Sequence, residues 1–385
     1  MQRLTRKLSR SRSAAFTVAL AASGALTGPA WSDTGLLETI HKHVARTSTV
    51  TDNGDLNPYA VVVAPVSAGK IQKDDVLVDN FNNLSNLQGT GTTIVDYNPS
   101  THKASLFAKL PQNLPQCPGG VGLTTAMTML KSGWVIVGST PSTDGTTKTK
   151  GPGCLIVFDS NGQLATVWTG PNINGPWGNM AVIDRGSTAT LFVSMAGFDI
   201  PSPDVKDSSG FPVTVNKATV LRIDLSIGGG APQITGQTVI ASGISARADK
   251  DVFMLGPTGL ALAPDGATLY VSDAVANQII AIPNATTRRD SAGTGTLVTK
   301  DGLLKRPLAL AITPDGHLLA CNAKNGQLVE IDPASGRQLY AQWIDANPAQ
   351  SPPGNGDLFG IAMTPDGKGF YYVEDDVNTL MEGVR

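Results

Sequence analysis

The segment Gly259-Leu-Ala-Leu-Ala-Pro-Asp-Gly-Ala-Thr-Leu-Tyr-Val-Ser-Asp273 decides the fold, because the same phrase occurs twice more downstream. The copies are Leu308-Ala-Leu-Ala-Ile-Thr-Pro-Asp-Gly-His-Leu-Leu-Ala-Cys-Asn322 and Phe359-Gly-Ile-Ala-Met-Thr-Pro-Asp-Gly-Lys-Gly-Phe-Tyr-Tyr-Val373. Each consists of two apolar segments joined by a Pro-Asp-Gly turn, the pattern of two antiparallel strands. The turn prolines lie at positions 264, 314 and 365, and a regular period of that length indicates a repeat architecture.

Weaker copies of the unit precede these three. Their turns are centred on Gly69, Gly133 and Gly186, each between two apolar segments. A further strand follows the second apolar segment, as in residues 278–282, and a unit of this kind is one blade of a β-propeller. The sequence therefore predicts an all-β fold with six blades. The longer interval before Gly266 holds an additional turn-rich loop and not a seventh blade.

The last blade lacks a strand, because few residues follow its third apolar segment. Residues 43–50 are rich in β-branched side chains and can supply the missing strand from the other end of the chain. That pairing would close the ring and cover an open sheet edge. We predict one propeller domain over residues 33–385, with helix limited to a single turn near residues 35–41.

The N-terminus has the pattern of an export signal. A positively charged region containing Arg3, Arg6 and Lys7 precedes an apolar stretch over residues 14–26, and small residues flank Trp31. We predict a signal peptide over residues 1–32 and export to the bacterial periplasm or medium; an uncleaved anchor is the alternative. No later apolar run approaches the roughly 18 residues of a membrane span.

The net charge and the cysteine positions exclude one class of partner, nucleic acid, and one kind of metal site, a zinc site. A net charge of −2 leaves no basic surface for nucleic acid. Cys117 and Cys154 fall on one face of blade 2, so an oxidising compartment favours a disulfide between them. Cys321 is predicted to be a buried thiol, and no cysteine or histidine spacing suits zinc. We expect a monomer.

One face of the predicted propeller has unequal loops. The connections between second and third strands are short in blades 4 to 6 and long in blades 1 to 3, at residues 79–92, 139–153 and 197–217. Long loops on a rigid scaffold commonly carry binding sites, although they can also be tolerated insertions. This long-loop face is the predicted binding face for a small molecule or a protein.

The blade 1 loop is rich in oxygen-bearing side chains. Asp79, Asn80, Asn82 and Asn83 are the predicted ligand-binding residues, with Asn179 at the start of blade 3. Carboxylate and amide oxygens suit Ca²⁺ or a polyhydroxylated ligand. The alternative is that the asparagines bond their own backbone and shape the loop.

A second set of acidic residues lies at strand ends that point to the same central mouth. Asp79, Asp273, Glu374 and Asp375 could converge on a divalent cation there. The alternative is that such residues cap the turns that follow the strands through local hydrogen bonds.

Nucleophilic catalysis has little support. None of the four histidines is placed as a base at the channel, and there is no Gly-x-Ser-x-Gly motif. We interpret Trp168, Trp177 and Trp343 as packing residues between strands and not as a ligand platform.

Residues 256–282 resemble an NHL repeat, with Gln278 where that family usually has Arg. NHL propellers mostly bind partners or ligands. The chain is more distantly similar to gluconolactonase and SMP-30 propellers, which are metal-dependent hydrolases. Those propellers usually open a blade with Asn-Gly, whose Asn helps to hold the metal, whereas this chain has Thr258-Gly259. They also carry Glu-Gly-Pro early in the first blade, where this chain has Asn57-Pro58-Tyr59.

We therefore expect an exported binding module that requires no cofactor and whose ligand docks on the long-loop face. The alternative is a metal-dependent hydrolase of the lactonase type, with Ca²⁺ or another divalent cation at the channel mouth. Convergence of at least three carboxylate or amide oxygens would favour the alternative.

Overall fold

A computed structural model describes residues 35–356 and 358–385. The predicted signal peptide lies outside these residues. The described chain forms six antiparallel sheets, five with four strands and one with five, so the six-bladed propeller predicted from the repeats is confirmed. None of the described residues forms a helix with the length and apolar character needed to cross a membrane.

The first four strands of blades 1 to 5 follow one another in chain order from the channel outward. Blade 1 contains β2 (Leu56–Val63), β3 (Val76–Asn82), β4 (Thr93–Asn98) and β5 (Lys103–Lys109). Blade 2 contains β6 (Leu123–Met129), β7 (Val135–Ser139), β8 (Cys154–Phe158) and β9 (Leu164–Trp168). Blade 3 contains β10 (Ala181–Asp184), β11 (Thr188–Met195), β12 (Val215–Ser226), β13 (Gln233–Ala248) and β14 (Met254–Leu255).

Blade 4 contains β15 (Pro257–Leu262), β16 (Leu269–Asp273), β17 (Gln278–Ile282) and β18 (Thr296–Lys300). Blade 5 contains β19 (Pro307–Ile312), β20 (Leu318–Asn322), β21 (Gln327–Asp332) and β22 (Arg337–Trp343). Blade 6 contains β23 (Leu358–Met363), β24 (Phe370–Glu374) and β25 (Thr379–Val384), and its outermost strand is β1 (Lys42–Ser48). Helix in the described residues is limited to two 3₁₀ turns, Leu37–Thr39 and Thr147–Thr149.

The ring is closed by a strand from each end of the chain. Strand β1 pairs antiparallel with β25, from Lys42 opposite Val384 to Ser48 opposite Thr379. The predicted closure is confirmed, with the strand shifted slightly toward the N-terminus. The pairing covers the edge that β25 would otherwise expose, and it joins residues separated by most of the chain.

A buried carboxylate fixes the segment that precedes the closing strand. Glu330 on β21 accepts hydrogen bonds from the backbone N–H of Leu36 at 3.0 Å and of Leu37 at 2.9 Å, and it contacts His317 Nδ1 at 2.9 Å. Leu36, Leu37 and Ile40 are buried beside blades 5 and 6. The N-terminal segment is therefore attached to blade 5 by Glu330 and to blade 6 by β1.

The predicted disulfide is confirmed: Cys117 and Cys154 are bonded, and Cys321 is a buried free thiol. The bond joins the connection before blade 2 to the first residue of β8. A cross-link of this kind is typical of proteins that fold in an oxidising compartment, which is consistent with export.

The unequal loops are also confirmed. The connections between second and third strands contain ten, fourteen and nineteen residues in blades 1 to 3, at 83–92, 140–153 and 196–214, and four residues in each of blades 4 to 6. The long interval in blade 3 arises from its loop, from the extended β12–β13 hairpin and from β14, and not from a seventh blade.

Candidate functional site

Six equivalent positions surround the channel on the long-loop face. Near the start of each inner strand one residue pairs with a residue at or near the end of the second strand, as Pro58 does with Asn80 and Pro257 with Asp273. The residue that follows this pair lies at the channel mouth. In blade order the six residues are Tyr59, Thr124, Trp177, Thr258, Leu308 and Phe359. The position therefore carries three aromatic rings and no carboxylate or amide.

The aromatic residues of this ring fill the channel mouth. The Tyr59 ring stacks on Phe359 with centroids 3.9 Å apart and meets Trp177 edge-on at 5.9 Å. Phe81 adds a second stacked contact with Tyr59 at 4.3 Å. Because Tyr59 belongs to blade 1 and Trp177 to blade 3, the contact between them crosses the channel. All are buried, so the mouth is a closed apolar core and not an open cavity.

The aromatic cluster is completed by Phe253, from the turn between β13 and β14. Its ring lies 5.4 Å from Phe81 and 5.8 Å from Trp177, and it is as buried as they are. Gln88 of the blade 1 loop donates to the backbone oxygens of Lys250 and Asp251 in the same turn, at 3.4 and 3.3 Å. The turn therefore lies across the channel mouth.

Asp79 lies beneath this cluster and is completely buried. Its Oδ1 accepts the N–H of Ala60 at 2.8 Å. The equivalent residues of blades 3 and 4 are Ser194 and Ser272, whose hydroxyls accept an inner-strand N–H and donate to a carbonyl of the next blade. Asp79 therefore occupies a position that joins adjacent blades by hydrogen bonds in blades 3 and 4. Its second oxygen, Oδ2, has no hydrogen-bond partner among the described residues.

Burial raises the pKa of Asp79 to about 8, and hydrogen bonds from the backbone of Ala60 and its neighbours only partly oppose this shift. The unfolded chain loses this proton near pH 3.9, so between about pH 4 and 8 the folded state binds more protons and stability falls as the pH rises. Asp79→Asn removes the ionisation. We therefore compare the free energy of unfolding of the variant with that of the wild type. Between about pH 5 and 8 this difference should shift in favour of the variant by more than about 1 kcal/mol.

Urea unfolding at several pH values measures this difference. The exposed Asp315, at a turn on the opposite face, provides the matched control Asp315→Asn. If the free energy of unfolding varied with pH in the same way for the wild type and Asp79→Asn, Asp79 would be ionised in the folded protein, and its pKa would not be raised.

The other predicted residues of the blade 1 loop serve mainly to shape it. Asn80 is completely buried and donates to Thr49 O at 2.8 Å. Asn82 donates to Asn86 Oδ1 at 2.6 Å, and Asn83 Oδ1 accepts the N–H groups of Ser85 and Leu87. The alternative in which asparagines bond within their own loop therefore describes Asn82 and Asn83 well. A ligand-binding role for Asp79, Asn80, Asn82 and Asn83 stays a prediction, and the first three, which are buried, would first have to become accessible.

Asn179 spans three blades. Its side chain donates to Leu260 O at 2.8 Å and to Leu310 O at 3.2 Å, and its Oδ1 accepts the N–H groups of the same two residues. These partners lie on β15 and β19, so Asn179 of blade 3 ties the inner strands of blades 4 and 5 together. All four bonds are internal, which leaves this amide as a structural clamp, and its predicted ligand contact is untested.

A cation-binding role for Asp79, Asp273, Glu374 and Asp375 stays a prediction. No group of three His, Cys, Asp or Glu residues in the described part of the chain is arranged to hold a metal ion. Asp273 Oδ1 accepts the N–H groups of Val275 and Ala276, and Oδ2 accepts from Gln278, so it caps its turn, as the alternative interpretation holds. Burial raises the pKa of Glu374 to about 7, and the nearby Asp345 and Asp376 add to the shift.

An open groove lies outside the closed mouth, between the long loops of blades 1 and 2. It consists of two adjoining hollows of about 420 and 350 Å³ that share Asn83, Thr90 and Gln112. The walls of the second hollow carry amides, hydroxyls and one leucine and no charged side chain: Asn83, Leu87, Thr90, Gln112, Asn113, Gly119, Gly120, Ser142 and Thr143.

The walls of this groove are fixed. The N–H of Ser142 donates to Gly89 O at 2.8 Å and joins the two loops. Gly89 has a φ of 73°, and a Cβ there would lie 2.9 Å from Ser142 N, so only glycine permits this contact. The Cys117–Cys154 disulfide anchors the segment that carries Gly119 and Gly120. The groove is therefore a preformed concave surface on the long-loop face.

Comparison with protein families gives a match over part of the chain. The profile described as SMP-30/Gluconolactonase/LRE-like region matches residues 215–346, from β12 of blade 3 through the end of blade 5. This match covers about a third of the chain and lies in the blades with the clearest repeats. The resemblance to gluconolactonase-like propellers is thus supported, whereas an NHL repeat as such is not. Among curated protein sequences none matches the chain.

Solved structures share the architecture over nearly the whole chain. A gluconolactonase from Xanthomonas campestris has 12% identity and a TM-score of 0.52, with 90% of this chain and 91% of that chain covered. The calcium-binding protein regucalcin from Agrobacterium tumefaciens has 11% identity and a TM-score of 0.51, with 88% and 93% covered. A PQQ-bound aldose sugar dehydrogenase from Streptomyces coelicolor has 14% identity and a TM-score of 0.51, with 89% and 97% covered. At these identities the likeness establishes the fold, which hosts different activities.

Sequence reasoning missed the aromatic closure of the mouth. A signal was present, because Trp177-Gly178 and Phe359-Gly360 stand where blade 4 has Thr258-Gly259. Phe253 had no such signal, since its turn lies outside the repeat. Trp177 is buried as expected, but the packing role expected for Trp343 is wrong, because that side chain is 59% exposed at the end of an outermost strand.

Proposed function

We propose that the protein is an exported propeller that binds a small, neutral, hydroxyl-rich ligand in the groove between the long loops of blades 1 and 2. The observation that carries this proposal is the uncharged lining of the second hollow of this groove, whose walls are fixed. Amide and hydroxyl groups can donate to and accept from the hydroxyls of such a ligand, while Leu87 offers an apolar patch to its carbon skeleton.

The proposal predicts which side chains contact the ligand. Asn113 and Thr143 are exposed and line the second hollow from two different segments, so the double variant Asn113→Ala/Thr143→Ala should lose contacts without loss of packing. We expect at least a tenfold rise in Kd, equivalent to about 1.4 kcal/mol, for whichever sugar or polyol of a neutral panel binds the wild type. Isothermal titration calorimetry measures the Kd, and the Tm should change by only about 1 °C.

The matched control is Asp315→Ala, an exposed turn position on the opposite face. It should bind as the wild type does. Unchanged affinity in the double variant, or equal loss in the control, would place the ligand elsewhere on the protein.

The second candidate function is a hydrolase of the lactonase type, which is supported by the family match over residues 215–346. Against it, the position where related propellers place a metal-holding Asn carries Thr258 here, and the channel mouth is closed by aromatic rings. The residues present therefore do not fit a resident metal at the mouth, and we derive no step through one.

Elemental analysis of the purified protein, followed by a lactone and ester hydrolysis screen with and without a chelator, separates the two candidates. A stoichiometric divalent cation together with chelator-sensitive hydrolysis would establish the hydrolase. Sugar binding that is unaffected by the chelator would support the binding module.

A further inference from the structure

The turn at residues 249–253 covers the channel mouth, and we call it the plug. Its place in the fold differs from that of the other aromatic residues that close the mouth. Tyr59, Trp177 and Phe359 belong to the ring of inner-strand positions, and Phe81 lies on β3. Phe253 instead lies in the turn of the β13–β14 hairpin. The turn is closed on itself, because the N–H of Asp249 donates to Phe253 O at 2.9 Å. Strand β14 pairs only with β13 in the described chain, so the turn belongs to no ladder between blades.

Val252 and Phe253 of the plug are buried in the central apolar cluster, whereas the polar contacts that fasten the plug are few and long. Besides the Gln88 bonds at 3.3 and 3.4 Å, Arg306 Nη1 lies 3.4 Å from Asp249 Oδ2, and Asn355 Nδ2 donates to Asp251 Oδ2 at 3.4 Å. Hydrogen bonds at these lengths are weaker than those near 2.9 Å. Phe253 also has a φ of 64°, in the left-handed region that bulky residues rarely adopt. Such strain persists only where surrounding contacts enforce it.

Beneath the plug are two polar atoms without partners. Tyr59 Oη and Asp79 Oδ2 are completely buried, and the described residues supply neither with a hydrogen bond. Burial, followed by the carboxylates of Asp375, Asp249 and Asp79, raises the pKa of Tyr59, so the phenol keeps its proton and remains a donor. Buried groups of this kind usually have a partner, and their exceptions call for an explanation.

We propose that Phe253 occupies the place of a ligand's aromatic ring, and that the plug moves aside to admit a small aromatic compound that carries a hydroxyl or carbonyl group. The ligand ring would take over the edge-on contact with Phe81 and the contact with Trp177. Its polar substituent would pair with Tyr59 Oη or Asp79 Oδ2. This site is separate from the groove of the proposed function and does not depend on it.

The first test asks whether the plug opens. Hydroxyl-radical footprinting compares the wild type with Gln88→Ala/Arg306→Ala, which removes two of the three side chains that make the polar contacts with the plug described above. We expect the oxidation rates of Tyr59 and Trp177 to rise at least threefold in the variant. The rates at exposed Trp343 and at Phe158, buried in blade 2, should stay unchanged and report any general unfolding. Equal protection of Tyr59 in both proteins would show that the plug is a fixed part of the core.

The second test asks what fits in its place, with phenol as the probe. Removal of a buried ring leaves an apolar cavity that can accept a small aromatic molecule. Phenol should raise the Tm of Phe253→Ala in a saturable way, and its Kd should rise at least threefold when Tyr59→Phe is added. Trp343→Ala, which removes an exposed ring from the same face, is the matched control. Should Phe253→Ala fail to fold, Phe253→Leu replaces it in the same titration.

The tests of this aromatic site can fail or succeed independently of the test of the groove. Asn113→Ala/Thr143→Ala should leave phenol binding to the Phe253→Ala protein unchanged. The same phenol effect on Phe253→Ala and Trp343→Ala, or no loss of affinity with Tyr59→Phe, would overturn the proposed aromatic site. The groove proposal would be untouched by either result.

Discussion

A chain that lacks residues 35–48 should be largely unfolded or aggregated at about 25 °C. The deletion removes β1 and with it the ladder that covers β25. It also removes Leu36, Leu37 and Ile40, and burial of each such side chain contributes about 1.5–3 kcal/mol. Together these losses are comparable with the roughly 5–15 kcal/mol that stabilises a typical folded protein. Circular dichroism and size-exclusion chromatography measure the outcome.

Two further experiments test whether the loss of the folded state is caused by the missing segment. One is a control deletion elsewhere in the chain, and the other adds the missing segment back as a peptide. Residues 228–230 are exposed glycines in the β12–β13 turn whose added Cβ would contact nothing, so their deletion should cost little. A synthetic peptide of residues 35–50, added to the truncated protein during refolding, should restore the folded signal by pairing with β25. A truncated protein that melts within a few degrees of the wild type would show that the ring does not depend on this closure.

Replacing Glu330 by Ala should cost about 3–5 kcal/mol, the range for removal of one partner from a buried charged cluster. The change leaves the N–H groups of Leu36 and Leu37 and the His317 ring without their acceptor. Glu330→Gln keeps one carbonyl oxygen and should cost less. Urea unfolding measures the loss, and hydrogen exchange should show faster exchange at Leu36 and Leu37.

The control for this variant is Glu382→Ala. Glu382 lies 2.6 Å from Arg46 across the β1–β25 ladder, but both side chains are partly exposed. A pair of this kind contributes about 0–1 kcal/mol, so its removal should matter little. Equal losses for Glu330→Ala and Glu382→Ala would refute the role of Glu330 as the anchor of the N-terminal segment.

The fold could be predicted because the repeat phrase joins local turn chemistry to an apolar pattern in every blade. The closing strand could be predicted because a blade with three strands leaves an edge that residues near 43–50 can cover. Glu330 could not be predicted as an anchor, since its partners are backbone N–H groups nearly 300 residues away, and no sequence pattern marks such a contact.

The site was harder to predict than the fold for a physical reason. The sequence predicted that Asp79 and Asn80 end a strand, but β3 continues to Asn82, so both residues lie within it. Their burial depends on what covers the strand. The covering residue, Phe253, comes from a turn outside the repeat. A polar residue at a strand end can either cap the following turn or bind a ligand, and the same side chains suit both roles. Asp273, for example, caps its turn. Only the contacts distinguish the two uses.

The pairing of β1 with β25 sets an order on folding. Five blades are built from strands that are near neighbours in sequence, so each can form as soon as its own hairpins meet. Blade 6 must wait until segments near residues 45 and 381 find one another across the whole chain. Rates fall as contacts become less local, and closing a long loop carries an entropic cost before any contact forms. We therefore expect ring closure to be the last and slowest step, and during that interval β25 is an unprotected edge at which two molecules could join.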